Sequence, residues 1–259
     1  MSFAAKYGPW ALVAGASEGL GEAFAVALAE RRLNLLLLAR RGELLEEVAS
    51  RLRMQNRAEV RCEAFDLARP ELGALLARLV GEYEIGLCVY NAAFAPIGPL
   101  LNRSLDDLLR VVDVNVRGPL VAARTLAPAM VARGRGGIVL VSSMAGFQGV
   151  PRLAAYAASK AFNTVLGEGL WGELAPHGVD VVVSCAGAVR TPGFESRKSA
   201  DPPGTLAAHE VAGRTLDALG SVPSVVPGFT NRVARLVLGR LLSRRAAIGV
   251  MARSAKGFA

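Results

Sequence analysis

An uninterrupted apolar run, Trp10-Ala-Leu-Val-Ala14, passes directly into a turn with three glycines in seven residues, Gly15-Ala-Ser-Glu-Gly19-Leu-Gly21. The run reads as a buried strand, and the pattern after the turn predicts a helix over 22–31. Glycines there let the backbone bend sharply and approach a pyrophosphate closely, while the helix N-terminus turns free N–H groups toward the anion. The pattern carries weight because it stands between strand and helix. Gly15, Ser17, Glu18, Gly19, Leu20 and Gly21 are therefore candidate dinucleotide-binding residues.

The same alternation continues down the chain. Strands are predicted over 33–39, 59–65, 86–90, 138–143, 179–184 and 224–226. Helices are predicted over 43–54, 72–83, 105–115, 120–133 and up to about 175. Strand, helix, strand throughout means an α/β fold with a doubly wound parallel sheet. The 259 residues fit one such domain, and neither an internal repeat nor a linker suggests a second.

A second cluster lies near Ser142-Ser-Met-Ala-Gly-Phe-Gln-Gly-Val-Pro-Arg-Leu-Ala-Ala-Tyr156-Ala-Ala-Ser-Lys160. Tyr156 and Lys160 are four apart, on one face of a helix. Ser143 closes the apolar run Ile138-Val-Leu-Val141, so a strand end delivers it toward the same site. A phenol, an ammonium and a hydroxyl are the parts needed to move a proton on and off a carbonyl or alcohol oxygen. A free tyrosine ionises near pH ~10. A neighbouring ammonium favours the phenolate, and the serine hydroxyl can donate to a substrate oxygen as charge develops on it.

Taken together, AGASEGLG at 14–21, Asp66, Asn91-Ala92-Ala93, Asn115, Ser143 and Tyr156-Ala-Ala-Ser-Lys160 resemble the short-chain dehydrogenase/reductase family in order and spacing, over roughly residues 8–195. The resemblance implies a Rossmann fold and hydride transfer between a nicotinamide dinucleotide and a carbonyl or secondary alcohol. It makes Tyr156 the general acid/base, with Lys160 binding the nicotinamide ribose and lowering the Tyr156 pKa. Ser143 orients and polarises the substrate oxygen, and Asn115 supports a water path for protons. Asp66 and Leu67 match the adenine edge. Gly187, Val189 and Thr191 match positions near the nicotinamide. Three departures stand out: Ala14 replaces a threonine, Ala93 a glycine and Ala186 a proline.

Ala39 stands where NAD enzymes of this family usually carry Asp, and Arg40 follows where NADP enzymes often carry Arg, with Arg41 next. A guanidinium suits a 2′-phosphate through paired N–H donors. The cofactor implied is NADP(H). Glu18 cuts the other way, since some NADP enzymes carry a basic residue there, so an NAD-dependent dehydrogenase of the same fold is the alternative. A dinucleotide sensor without chemistry is a further one, although it need keep only the glycine turn. The covering segment, about 190–230, mixes Phe194, Leu206 and Val211 with Glu195, Arg197 and Lys198, and suggests a medium or large apolar carbonyl substrate.

Composition excludes several classes. Only four of the 30 basic residues are Lys, and the arginines are scattered without an aromatic-basic module, so the net charge of +8 does not argue for nucleic acid. Cys62, Cys88 and Cys185 lack metal-ligand spacing and fall in strands, where they read as buried thiols. No apolar run reaches the ~18 residues of a membrane span, and the N-terminal residues lack a signal-peptide core, so the expected location is cytoplasmic. Residues 232–256 read as a basic amphipathic helix. It suits anionic lipid, a partner subunit, the chain's own pocket or simple completion of the fold. The Ala-, Gly- and Leu-rich helices 120–133 and 157–174 predict a homodimer or homotetramer.

Overall fold

A computed structural model describes residues 1–55, 58–195 and 201–255. The elements in order are α1 Phe3–Tyr7, β1 Trp10–Ala14, α2 Gly19–Glu30, β2 Asn34–Ala39, α3 Gly42–Gln55, β3 Val60–Ala64, α4 Leu72–Glu82 and β4 Ile85–Tyr90. Then come α5 Leu105–Val112, α6 Gly118–Arg133, β5 Gly136–Ser143, α7 Ala154–Leu174, β6 Val179–Ala186, β7 Val189–Arg190 and α8 Pro192–Glu195. The chain continues through β8 Leu206–Ala207, α9 Ala208–Ala218, β9 Ser224–Val225, α10 Phe229–Leu236 and α11 Arg244–Ala255.

Seven strands form one parallel sheet in the order β3-β2-β1-β4-β5-β6-β9, and β7 pairs with β8 apart from it. Side chains alternate along each strand, which divides the core in two. Ala11 and Val13 of β1 join Leu35 and Leu37 of β2 beneath α2, α3 and α9. Leu12 joins Leu36 and Leu38 on the other face, beneath α4 and α6. Both faces of the inner strands are thus apolar, which is why β1, β4 and most of β5 read as continuous hydrophobic runs. The strand order reverses between β1 and β4, and a crevice opens there beyond the strand ends.

Beyond shifts of a few residues at element ends and four short elements not expected, α1, β7, α8 and β8, the structure differs from the sequence expectations as follows. The helix expected over 105–115 ends at Val112 and passes into a single wide π turn, Asp113–Arg117. The Tyr90 hydroxyl donates to the Val114 carbonyl at 2.8 Å, which diverts an acceptor from the regular helical ladder. Strand β6 runs two residues further than expected, to Ala186, which pairs with Ser143, because no proline interrupts it. Cys62 is half-buried rather than buried, while Cys88 and Cys185 are buried as expected. Residues 232–255 are not one helix, residue 256 lying outside the described residues: α10 leads into a π turn, Val237–Leu241, the chain extends at Leu242, and α11 follows. Among the described residues no helix is long and apolar enough to cross a membrane, and no cluster of side chains could hold a metal.

Candidate active site

The glycine turn is built largely from backbone bonds. Gly15 N–H donates to Leu38 O at 2.7 Å, and the N–H groups of Asn91 and Ala92 both donate to Ala14 O. The Asn91 side chain donates to Gly15 O at 3.0 Å. These bonds fix the turn without the hydroxyl that Ala14 lacks. Two glycines are required sterically. Gly15 has φ +81, and a Cβ on Gly21 would lie 1.8 Å from Gly15 O and 2.7 Å from Asn91 Nδ2. Glu18 precedes α2 without capping it through its side chain, so no side chain of that residue occupies the first-turn N–H groups.

A cleft of about 290 Å³ opens over this turn. Gly15, Ser17, Glu18, Gly19 and Leu20 line one wall, Arg40, Arg41, Asp66 and Leu67 another, and Asn91, Ala92, Ala93 and Thr191 a third. The cleft therefore gathers most of the residues expected to bind a dinucleotide. Gly21 lies beneath the turn and supports it. Val189 is engaged with Leu206 in the small sheet. Gly187 is also packed closely: a Cβ there would lie 2.7 Å from the Asn231 amide, which itself donates to Gly204 O and Pro227 O.

Charges around the cleft are arranged unevenly. Arg41 forms an ion pair with Glu18 at 2.6 Å and donates to Ser17 Oγ at 3.3 Å. Arg40 is exposed at the rim and has no ion pair among the described residues. Asp66 accepts from Arg110 at 2.6 Å and from Ala68 N–H at 3.0 Å. Partial burial pulls the Asp66 carboxyl upward, but those bonds and the charges of Arg110 and Arg40 hold it below its ordinary range. Arg110, missed in the sequence, lines the cleft through this contact, and no local spacing signals it because Asp66 is 44 residues away.

Ser143 ends β5, and Tyr156 and Lys160 lie on the first turns of α7, so the three expected residues converge at the carboxyl edge of the sheet. Burial pushes the Tyr156 phenol upward, and the hydrogen bond from Ser143 pulls it down. The net direction is up. The lowering expected from the Lys160 ammonium does not show in that balance, in which burial outweighs the serine. Lys160 Nζ lies 5.6 Å from the centre of the Tyr156 ring and donates to Val141 O at 2.7 Å. Lys160 is only 2% exposed, and burial brings its ammonium down to about 8. Tyr156 also borders a small recess of about 70 Å³ with Pro96, Leu100 and Leu153.

Asn115 is fully buried inside the π turn. Its Oδ1 accepts from Phe94 N–H at 2.7 Å, and its Nδ2 donates to Phe94 O at 2.9 Å and Ser159 Oγ at 3.0 Å. Ser159 donates in turn to Tyr156 O at 2.7 Å. Both amide hydrogens are thereby spent. Asn115 ties the loop after β4 to α7, and a water could meet this side chain only at the second lone pair of Oδ1. Ser159 was not singled out in the sequence, although its place one residue before Lys160 was the available signal.

The fold, the glycine turn and this triad of side chains define a nicotinamide-dependent oxidoreductase of the Rossmann type. A family model for short chain dehydrogenase matches residues 9–202, and the chain belongs to that family. It is similar to the 7beta-hydroxysteroid dehydrogenase of Clostridium sardiniense, 30% identical over 235 residues and 90% of each chain. It is also similar to the very-long-chain 3-oxoacyl-CoA reductase of Podospora anserina, 36% identical over 181 residues, which cover 68% of this chain and 53% of the reductase. A solved structure concerned with 7beta-hydroxysteroid dehydrogenase stereoselectivity superposes with a TM-score of 0.90 at 27% identity, covering 97% of this chain and 99% of that one. A short-chain dehydrogenase from Sphingobium yanoikuyae in complex with NADPH superposes with a TM-score of 0.77 at 31% identity, covering 85% and 87%. The chain is thus an oxidoreductase of carbonyl or alcohol substrates.

Proposed function

We propose that the protein is an NADP(H)-dependent oxidoreductase of a medium or large apolar ketone or secondary alcohol. The observation that carries this reading is the convergence of Ser143, Tyr156 and Lys160 at the same edge of the sheet as the cleft over the glycine turn. The cleft over Gly15 and Gly19 leaves room for a pyrophosphate, and the first turn of α2 offers it N–H donors. Asp66 and Leu67 border the adenine end, Thr191 the nicotinamide end, and Arg40 the 2′-phosphate. The nicotinamide supplies or accepts the hydride. Ser143 holds the substrate oxygen, and Tyr156, protonated at neutral pH, delivers a proton to it in reduction. Lys160 holds the ribose and Asn115 positions α7 through Ser159. The hydroxysteroid and the very-long-chain 3-oxoacyl-CoA in the relatives' names support a bulky apolar substrate. Exposed Leu109, Val112, Leu120 and Val165 support a homo-oligomer, which light scattering would test.

The test is NADPH oxidation against a panel of steroidal ketones, 3-oxoacyl thioesters and small ketones, with Tyr156→Phe as the control. The variant keeps the ring and loses the proton donor. Turnover should fall at least about 100-fold, the scale of general acid–base catalysis, with cofactor affinity little changed. Near-normal turnover of Tyr156→Phe would remove the assignment.

A further inference from the structure

The segment 229–246 is held to the body at its two ends. At one end Asn231, 4% exposed, bonds Gly204 O and Pro227 O. At the other Ala247 is buried, Ile248 lies against Gly149, and Met251 packs with Tyr156 and Val150. Between these anchors the chain faces outward. Phe229 is 74% exposed, Leu236 50% and Leu241 71%, with Val233 and Leu242 also exposed. Arg232, Arg235, Arg240, Arg244 and Arg245 stand among them, all exposed. None of the five is ion-paired among the described residues, and the sequence holds no Asp or Glu after Asp217.

Large apolar side chains and unpaired arginines on one outward strip present two needs together, an apolar medium and a negative surface. We propose that this strip docks the enzyme on an anionic bilayer, with Phe229, Leu236 and Leu241 entering the headgroup boundary and the arginines meeting lipid phosphates. A second copy of the chain fits less well. A two-fold contact through this strip would set five arginines against five more with no carboxylate to separate them. The strip also adjoins the candidate site. Arg235 stacks over Phe147 at 4.5 Å and Arg244 donates to Phe147 O at 3.0 Å, in the turn that follows Ser143. Resting on the proposed apolar substrate, docking there would set the mouth of the site against the medium in which such a substrate dissolves.

The experiment is flotation of the full chain with vesicles of phosphatidylcholine alone and of phosphatidylcholine mixed with phosphatidylglycerol, at low and high salt. Binding is expected on the mixed vesicles only, and it should weaken as salt rises. Arg240→Gln with Arg245→Gln should reduce partitioning on the order of twentyfold, since each basic side chain near such a surface contributes roughly fivefold. Phe229→Ser with Leu241→Ser should abolish it. Both double variants should keep wild-type circular dichroism and wild-type turnover of a small soluble ketone, or wild-type NADPH binding if no ketone is turned over. Absence of flotation at low salt, equal binding to neutral vesicles, or retention of binding by both variants would overturn the proposal. So would a dimer in solution that Leu241→Ser dissociates, because the strip would then be a subunit contact.

Discussion

Replacing Arg40 by Ala and Glu18 by Gln, singly and together, separates the charges proposed to choose between NADPH and NADH. Ala39 leaves a methyl where a carboxylate would repel a 2′-phosphate, so the choice falls to the neighbouring cations. Arg40 is free of ion pairs among the described residues, whereas Arg41 is held by Glu18 at 2.6 Å. A charge-assisted bond to a sheltered phosphate contributes about 1.5–3 kcal/mol. At an exposed rim, solvent screening reduces that to about 1 kcal/mol. Arg40→Ala should therefore weaken NADPH binding roughly fivefold and leave NADH within about twofold. Glu18→Gln should act in the opposite sense, releasing Arg41 toward the phosphate and tightening NADPH several-fold. Calorimetric titration of both cofactors at two salt concentrations reads these changes, and the NADPH advantage should shrink as salt rises. A wild type that prefers NADH would refute the reasoning from Ala39 and Arg40. A preference that survives Arg40→Ala intact would move the phosphate to Arg41 or Ser17.

Three further outcomes are expected. Burial takes the Lys160 ammonium from 10.5 to about 8, so the unfolded chain binds that proton more tightly, and stability from this group should rise as pH climbs from about 8 to 10.5. Lys160→Met, freed of about 3 kcal/mol of this penalty at neutral pH and giving up about 1 for the Val141 carbonyl, should unfold at higher urea than wild type at neutral pH but not above pH 10.5; equal midpoints at pH 7 would contradict it. The hydrogen bond from Ser143 pulls the Tyr156 phenol down against the upward push of burial. In Ser143→Ala the alkaline fall of carbonyl reduction should therefore move to higher pH, with kcat down about 100-fold or more, and an unmoved limb would argue that another group titrates. Asn115→Ala removes three hydrogen bonds that tie the loop after β4 to α7, and at a net of about 0.5–1.5 kcal/mol each it should destabilise the fold by roughly 2–4 kcal/mol in denaturant titration.

The fold was legible because inner strands of a covered parallel sheet have no polar face. Trp10–Ala14 and Ile85–Tyr90 are buried at every position, so an unbroken apolar run was sufficient to place them. The edge strand Val60–Ala64 is only partly buried and showed itself by alternation instead. The form of the π turn was not legible from local spacing, because the Tyr90 hydroxyl that takes up the Val114 carbonyl comes from the end of β4. The break between α10 and α11 is marked only by a serine: Ser243 Oγ accepts from Ala246 N–H at 3.3 Å at the start of α11, while Leu and Arg keep their helical spacing through the bend.

The site divides along the same line. A parallel sheet carries every strand's carboxyl end to one edge, so residues at or just after strand ends, such as Gly15, Arg40, Asn91 and Ser143, are neighbours by topology alone. Sequence order suffices to find them. Protonation does not follow from order. Tyr156 and Lys160 are four apart on one face whether α7 is exposed or buried, and that spacing suggests an ammonium lowering a phenol. The structure buries Lys160 against β5 and spends an N–H on the Val141 carbonyl. Desolvation then acts on both groups, raising the phenol and lowering the ammonium. Each is moved toward its neutral form. A negatively charged dinucleotide entering the cleft adds charge that favours the ammonium over neutral Lys160. Its binding should therefore take up protons in buffer near pH 8, and that uptake should vanish in Lys160→Met. An uptake that persists in the variant would place the titrating group elsewhere.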